Sequence, residues 1–196
     1  MPHKVPLPRR PVTTGDPVQQ WYENALGWAA VCGPPAQLLT GLRFDVLELP
    51  AEAGLAVLRR LGTAVPTGPV AMEGGTMRLL VAAGSADELP GLLDWLEWGA
   101  LARDLRAVGA GGRISAPLPP GWSGPREAAV WLRPPGPGCE VEPTLPALTS
   151  LGERATASKG GCAAGPDLVR LVETAATECH RLRLLRARSA QPLAFS

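Results

Sequence analysis

Acidic side chains on a strand are the first place to look for chemistry, because phosphoryl and nucleotidyl transfer needs carboxylates to hold divalent metal. The strand-like run Phe44-Asp45-Val46-Leu47-Glu48-Leu49-Pro50 offers Asp45 and Glu48. They are three residues apart, so a regular pleat sends them to opposite faces and makes them a poor metal pair. The plainer reading is one solvated acid and one acid at a strand end. An enzyme using both would need an irregular strand. No nucleophile stands out. Ser115 and Ser123 lack a Gly-x-Ser-x-Gly setting, and the two histidines are His3 and His180. Cys179 and His180 are neighbours that point about 100° apart on a helix, which rules out a dyad. His180 reads as a helix-surface residue near a C-terminus, where a cation suits the dipole.

The four cysteines, Cys32, Cys139, Cys162 and Cys179, form no Cys-x-x-Cys and no zinc spacing, and they read as incidental or buried thiols. Gly74-Gly75 and Gly109-Ala110-Gly111-Gly112 are turn signals without the Lys-Ser/Thr of a phosphate loop. No cofactor is therefore expected. Net charge is +1, so no global field draws the chain to nucleic acid. A local patch does exist: Arg181, Arg183, Arg186 and Arg188 crowd one helix end. They complement a helix dipole or meet a phosphate or acidic partner. Among six tryptophans, Trp98 and Trp122 are the ones expected at a partner surface, with Trp21, Trp28 and Trp131 in the core.

The elements that must hold these residues follow from pattern. The chain has 196 residues, and 45% are hydrophobic, enough for one domain with a real core. Residues 1–15 read as a proline-rich disordered arm and match neither a signal peptide nor a membrane segment. A cytoplasmic chain is expected. Asp16-Pro17 opens a helix that Gly27 ends. Strands are expected at 28–32, 42–49, 69–72, 77–83, 113–116 and 128–132. Helices are expected at 51–61, with Leu55, Leu58 and Leu61 inward, and at 89–98, with Leu92, Leu93, Trp95 and Leu96 inward. Gly74-Gly75 makes a hairpin turn. Pro134 to Gly138 reads as a boundary. A flexible linker is expected over 136–165, holding a short helical turn from Leu145. An amphipathic helix follows over 166–188, with a tail at 189–196. Leu168, Leu171, Val172, Ala175, Cys179 and Leu182 form its apolar stripe. The class is α/β in the α+β sense, with a mixed central sheet, flanking helices and a C-terminal amphipathic helix.

Four phrases in order carry a resemblance. They are Tyr22-Glu23-Asn24-Ala25-Leu26-Gly27-Trp28, then Thr40-Gly41-Leu42 through Leu47-Glu48-Leu49-Pro50 with Gly54. Next come Pro69-Val70-Ala71 through Gly74-Gly75-Thr76-Met77-Arg78-Leu79-Leu80-Val81, and last Arg113-Ile114-Ser115-Ala116-Pro117-Leu118-Pro119 with Trp131 and Pro134. Over residues 18–135 the chain resembles the bifunctional primase–polymerase domains of actinobacteria. The resemblance implies a sheet like that of the RNA-recognition motif. It also implies that the chemistry is lost. If Glu48 takes the first metal-binding acid position, Pro50 takes the second, and Met77 or Arg78 stands in place of the family's histidine. The segment before the acidic strand is cut to Gly33–Leu39. A catalytically degenerate, non-enzymatic domain that works through a protein partner is the leading expectation. Residual DNA or nucleotide binding by Arg78, Arg113 and the C-terminal arginines is the alternative. An active metal-dependent primase or polymerase using Asp45 and Glu48 is the second.

Overall fold

A computed structural model describes residues 16–62, 67–136, 140–148 and 167–190. The expected arm at 1–15, His3, Cys139, Cys162 and most of the 136–165 linker lie outside the described residues. Helix α1 (Pro17–Trp21) starts where Asp16 Oδ1 accepts the Val18 N–H at 2.9 Å. It runs into a wider π-helical turn at Tyr22–Leu26, and Gly27 ends it in the left-handed region at φ 65°.

Strands β1 (Ala30–Val31) and β2 (Gln37–Leu39) come next, followed by the long strand β3 (Phe44–Pro50). Helix α2 (Ala51–Leu61) leaves β3 directly. The hairpin of β4 (Val70–Glu73) and β5 (Thr76–Ala82) turns on Gly74-Gly75. Helix α3 (Ser85–Trp95) and β6 (Arg106–Val108) complete a β-α-β-β-α-β run. The last pieces are β7 (Arg113–Ser115), β8 (Val130–Arg133) and helix α4 (Leu168–Ala190).

The chain is α+β. The larger sheet has the order β6-β3-β5-β4-β8 and the smaller one β1-β2-β7. Every pairing between these strands is antiparallel, so the expected mixed sheet is instead two antiparallel ones. Among the described residues, isolated parallel bridges join Leu118 to Val130 and Ala147 to Asp167. Without β8, the larger sheet has the strand order of the split β-α-β, or ferredoxin-like, arrangement that the RNA-recognition motif shares.

Alternation along β3 builds two cores. Leu47 and Leu49 join Met77, Leu79 and Val81 beneath α2, α3 and α4. Phe44 and Val46 join Leu80, Leu38, Ile114, Tyr22 and Trp28 beneath the small sheet and α1. The large sheet therefore carries helices on one face and the small sheet over part of the other.

Tyr22 locks this second layer. Its hydroxyl donates to the Pro117 carbonyl at 2.6 Å and accepts the Trp131 indole N–H at 2.9 Å. Burial pushes its phenol well above the ordinary range, against the weaker opposing pull of the Trp131 hydrogen bond.

The glycine run at 109–112 closes the turn from β6 to β7. Thr40 Oγ1 donates to the Gly109 carbonyl at 2.6 Å, and a Cβ on Gly41 would sit 2.2 Å from Ala110 Cα. Only glycine permits that approach.

Three expectations about packing change. On α2 the buried residues are Ala53, Gly54, Val57 and Leu61, while Leu55 faces solvent. Small residues let α2 sit close to the sheet, since a Cβ on Gly54 would meet Met77 Sδ at 2.3 Å. Trp95 is not inward but 71% exposed. The proline-rich boundary does not end the domain, because Val141 and Leu145 are buried in the second core and the Pro146 carbonyl accepts the Ala82 N–H. The turn there is Glu142–Thr144, ahead of its expected place. Helix α4 docks on α2 and the sheet through the stripe expected of it. Among the described residues no helix is long and apolar enough to cross a membrane.

Candidate functional site

Asp45 and Glu48 part company as the pleat requires. Asp45 lies on the helix face of β3 and is 1% exposed, not solvated. Its Oδ2 accepts the Ala86 N–H at 2.9 Å in the first turn of α3. Gly84 precedes that helix and has no side chain to cap it. A carboxylate from a distant strand supplies what the local sequence lacks, and it meets the positive end of the helix dipole. Its Oδ1 is buried without a hydrogen-bond partner among the described residues.

Glu48 lies on the opposite face, in cross-strand register with Arg78 on β5 and Arg106 on β6. Arg78 Nε donates to Glu48 Oε1 at 2.8 Å, and Arg78 Nη1 donates to Glu73 Oε2 at 2.5 Å. The Arg78 side chain is 12% exposed, and those of Glu48 and Glu73 are 25% and 27%. Burial works against the guanidinium's charge, but the bonds and attraction of both glutamates outweigh it and raise its hold on its proton. The two candidate acids are thus split between a helix cap and an ion triad. Among the described residues no group of three or more His, Cys, Asp or Glu side chains is placed to hold a metal ion.

Glu73 is the member that sequence reading missed. The signal was present in the turn. With Gly74-Gly75 as the loop, Glu73 pairs Thr76, and Arg78 falls two residues further along the same face. Met77 points the other way into the helix-side core, so Arg78 is the residue that meets Glu48. Arg106, also unpredicted, stands exposed in the cleft formed by Glu48, Thr76, Asp104 and Arg186.

The remaining candidates scatter. Arg113 is exposed on β7 in the small sheet. Trp122 is 46% exposed in the loop before β8, as expected. Trp98 is half-buried rather than exposed as expected. Helix α3 ends at Trp95, Glu97 turns the chain with φ 61°, and Trp98 folds back on the core with its ring 5.9 Å from His180. His180 is correspondingly half-buried, with Nδ1 unpartnered among the described residues. Cys179 beside it is pushed up to about 12, first by burial and then by Asp104.

Three of the four C-terminal arginines face an acid of the same chain, while Arg188 meets none among the described residues. Arg181 lies 3.9 Å from Glu178, Arg183 lies 3.2 Å from Asp104, and Arg186 lies 3.2 Å from Glu52. No protein-family description, curated protein or solved structure matches the chain.

Proposed function

We propose that the protein is a non-enzymatic binding domain of the cytoplasm, a degenerate primase–polymerase-like frame that acts through a protein partner. One observation carries the reading. Where the resemblance expects a divalent cation between acids, a guanidinium is built in between Glu48 and Glu73. It satisfies both carboxylates, and being covalently part of the chain it does not exchange. Pro50, the next residue along this face of β3, supplies no ligand. Metal-assisted nucleotidyl transfer has no room here. Exposed Trp95 and Trp122 favour a protein partner, since tryptophan is enriched where protein surfaces meet.

Residual DNA or nucleotide binding is the second reading. It is favoured by Arg106 and Arg113, which are exposed and meet no acid among the described residues. Arg78 does not help it, being saturated by its two glutamates.

Calorimetric titration separates these readings. Manganese with a deoxynucleoside triphosphate, and single-stranded DNA over a salt series, are titrated into the wild type and Glu48→Ala. The protein-binding reading expects no metal-dependent heat and no affinity that falls steeply with salt. Metal-dependent binding lost in Glu48→Ala restores the enzyme. Salt-steep DNA binding establishes the second reading instead.

A further inference from the structure

Helices α2 and α4 pack side by side on the sheet, and the outer seam between them is a groove. Its floor is Ala53, Ala56, Leu182 and Leu185. Leu55 and Leu58 continue the apolar surface along α2, and Leu184 continues it along α4. Leu184 and Leu185 are each 52% exposed, on a helix whose inner stripe is already fully engaged. Two apolar faces therefore exist on α4, and the fold covers only one.

The rim is basic beyond what the fold requires. Glu52 is held by Arg186, and Glu178 is shared by Arg60 and Arg181. Arg59 and Arg188 line the same surface, are exposed, and meet no acid among the described residues. The acids are taken, while cations remain.

We infer that this groove receives an acidic amphipathic helix from a partner protein. The inference rests on the protein-binding reading and gives the partner its chemistry. A helix of that kind lays leucine-like side chains on the alanine and leucine floor and sets glutamates or aspartates against Arg59, Arg181 and Arg188. A second copy of this chain fits less well, because a two-fold contact puts the same patch on itself and brings arginine onto arginine. Nucleic acid would meet the arginines but leave the leucines against phosphate.

The full chain is panned against a displayed library of helices about five turns long. Leucine is fixed on one face at i, i+3, i+4 and i+7, and the flanking positions vary among Glu, Gln and Lys. Glutamate should be enriched at the flanks. The best binders should weaken by about tenfold or more on Leu185→Asp. The double variant Arg59→Glu with Arg188→Glu should shift the selection toward lysine. All three residues are exposed, so a thermal melt close to the wild type confirms that the variants fold.

Enrichment of lysine by the wild type, or no enrichment, overturns the inference. So does self-association abolished by Leu185→Asp in sedimentation, which makes the occupant a second copy. So does DNA capture lost in the arginine variants. Peptide binding that survives Leu185→Asp and vanishes in Trp122→Ala overturns the groove but leaves protein binding standing. No peptide bound together with metal-dependent nucleotide binding removes both.

Discussion

Replacing Arg78 by methionine tests the triad directly. The substitution keeps the apolar stem and removes the charge, leaving Glu48 and Glu73 facing each other across β5. Taking one partner out of a buried pair costs about 3–5 kcal/mol. Both glutamates keep roughly a quarter of their side-chain exposure, so water screens part of the repulsion. We expect a loss of about 2–3 kcal/mol in urea unfolding. A chain of this size loses about 2–4 °C in Tm for each kcal/mol. Manganese should raise the Tm of Arg78→Met and not that of the wild type, since the open pair then offers carboxylates to a cation. The triple variant Arg78→Met, Glu48→Gln, Glu73→Gln should return close to wild-type stability, because it leaves no uncompensated charge. A single variant within about 1 kcal/mol of wild type refutes the reasoning, as does a triple variant no better than the single.

Two further outcomes follow from buried groups. Cys179 has its pKa raised from 9.0 to about 12, and Tyr22 has its own raised from 10.0. A raised folded pKa means that the stability is whole below the unfolded value and is lost as pH climbs toward the folded one. Cys179 should thus add no pH dependence to urea unfolding below pH 9, and above it a fall approaching about 1.4 kcal/mol per pH unit, as the thiol ionises in the unfolded chain while the buried one keeps its proton. The fall should steepen once Tyr22 joins above pH 10. Cys179→Ala should remove the first part of it, and a curve unchanged by that substitution contradicts the assignment. Asp45→Ala strips the acceptor from the Ala86 N–H at the start of α3, and thermal melts should show a loss of about 1–3 kcal/mol. Asp45→Asn keeps an acceptor and should lose less. Equal stability of all three chains would mean that Asp45 caps nothing.

The sequence was most legible where local punctuation decides structure. Pro50 and Gly62 bracket α2, and its bounds fall where they were expected. Gly74-Gly75 sets the β4–β5 hairpin, and the stripe from Leu168 to Leu182 gives α4 its inner face. Strands β2 and β6 were missed, and length alone does not explain it, since β7 is just as short and was expected at 113–116. The start of α3 was also misplaced. It was expected at Leu89, whereas the helix begins at Ser85 and is capped from Asp45. A cap forty-one residues away in sequence leaves no local mark. Leu55 was read inward because leucine outranks alanine and glycine in a periodicity count. Close approach of α2 to Met77 selects the small residues instead. At the candidate site the pleat alone separated Asp45 from Glu48. Joining Glu48 to Arg78 needed the strand register, which no single segment encodes.

That register also explains why recognition is best sought on the helix side of this fold. A sheet of this order can read ligands on its open face, as RNA-recognition motifs do with aromatic side chains on the two central strands. Here the corresponding strands are β3 and β5. One end of their open face carries Phe44, Val46 and Leu80, sealed beneath the small sheet by Trp28 and Tyr22. The other end carries Glu48 and Arg78, closed by Glu73. Neither end presents an exposed aromatic ring, since Phe44 is buried. An exposed apolar surface, with cations beside it that meet no acid among the described residues, lies instead along α2 and α4. Mutations on the two faces should therefore separate cleanly. Those in the triad change stability and leave partner binding intact, while those at Leu185 and Arg59 change binding and leave the melt unmoved.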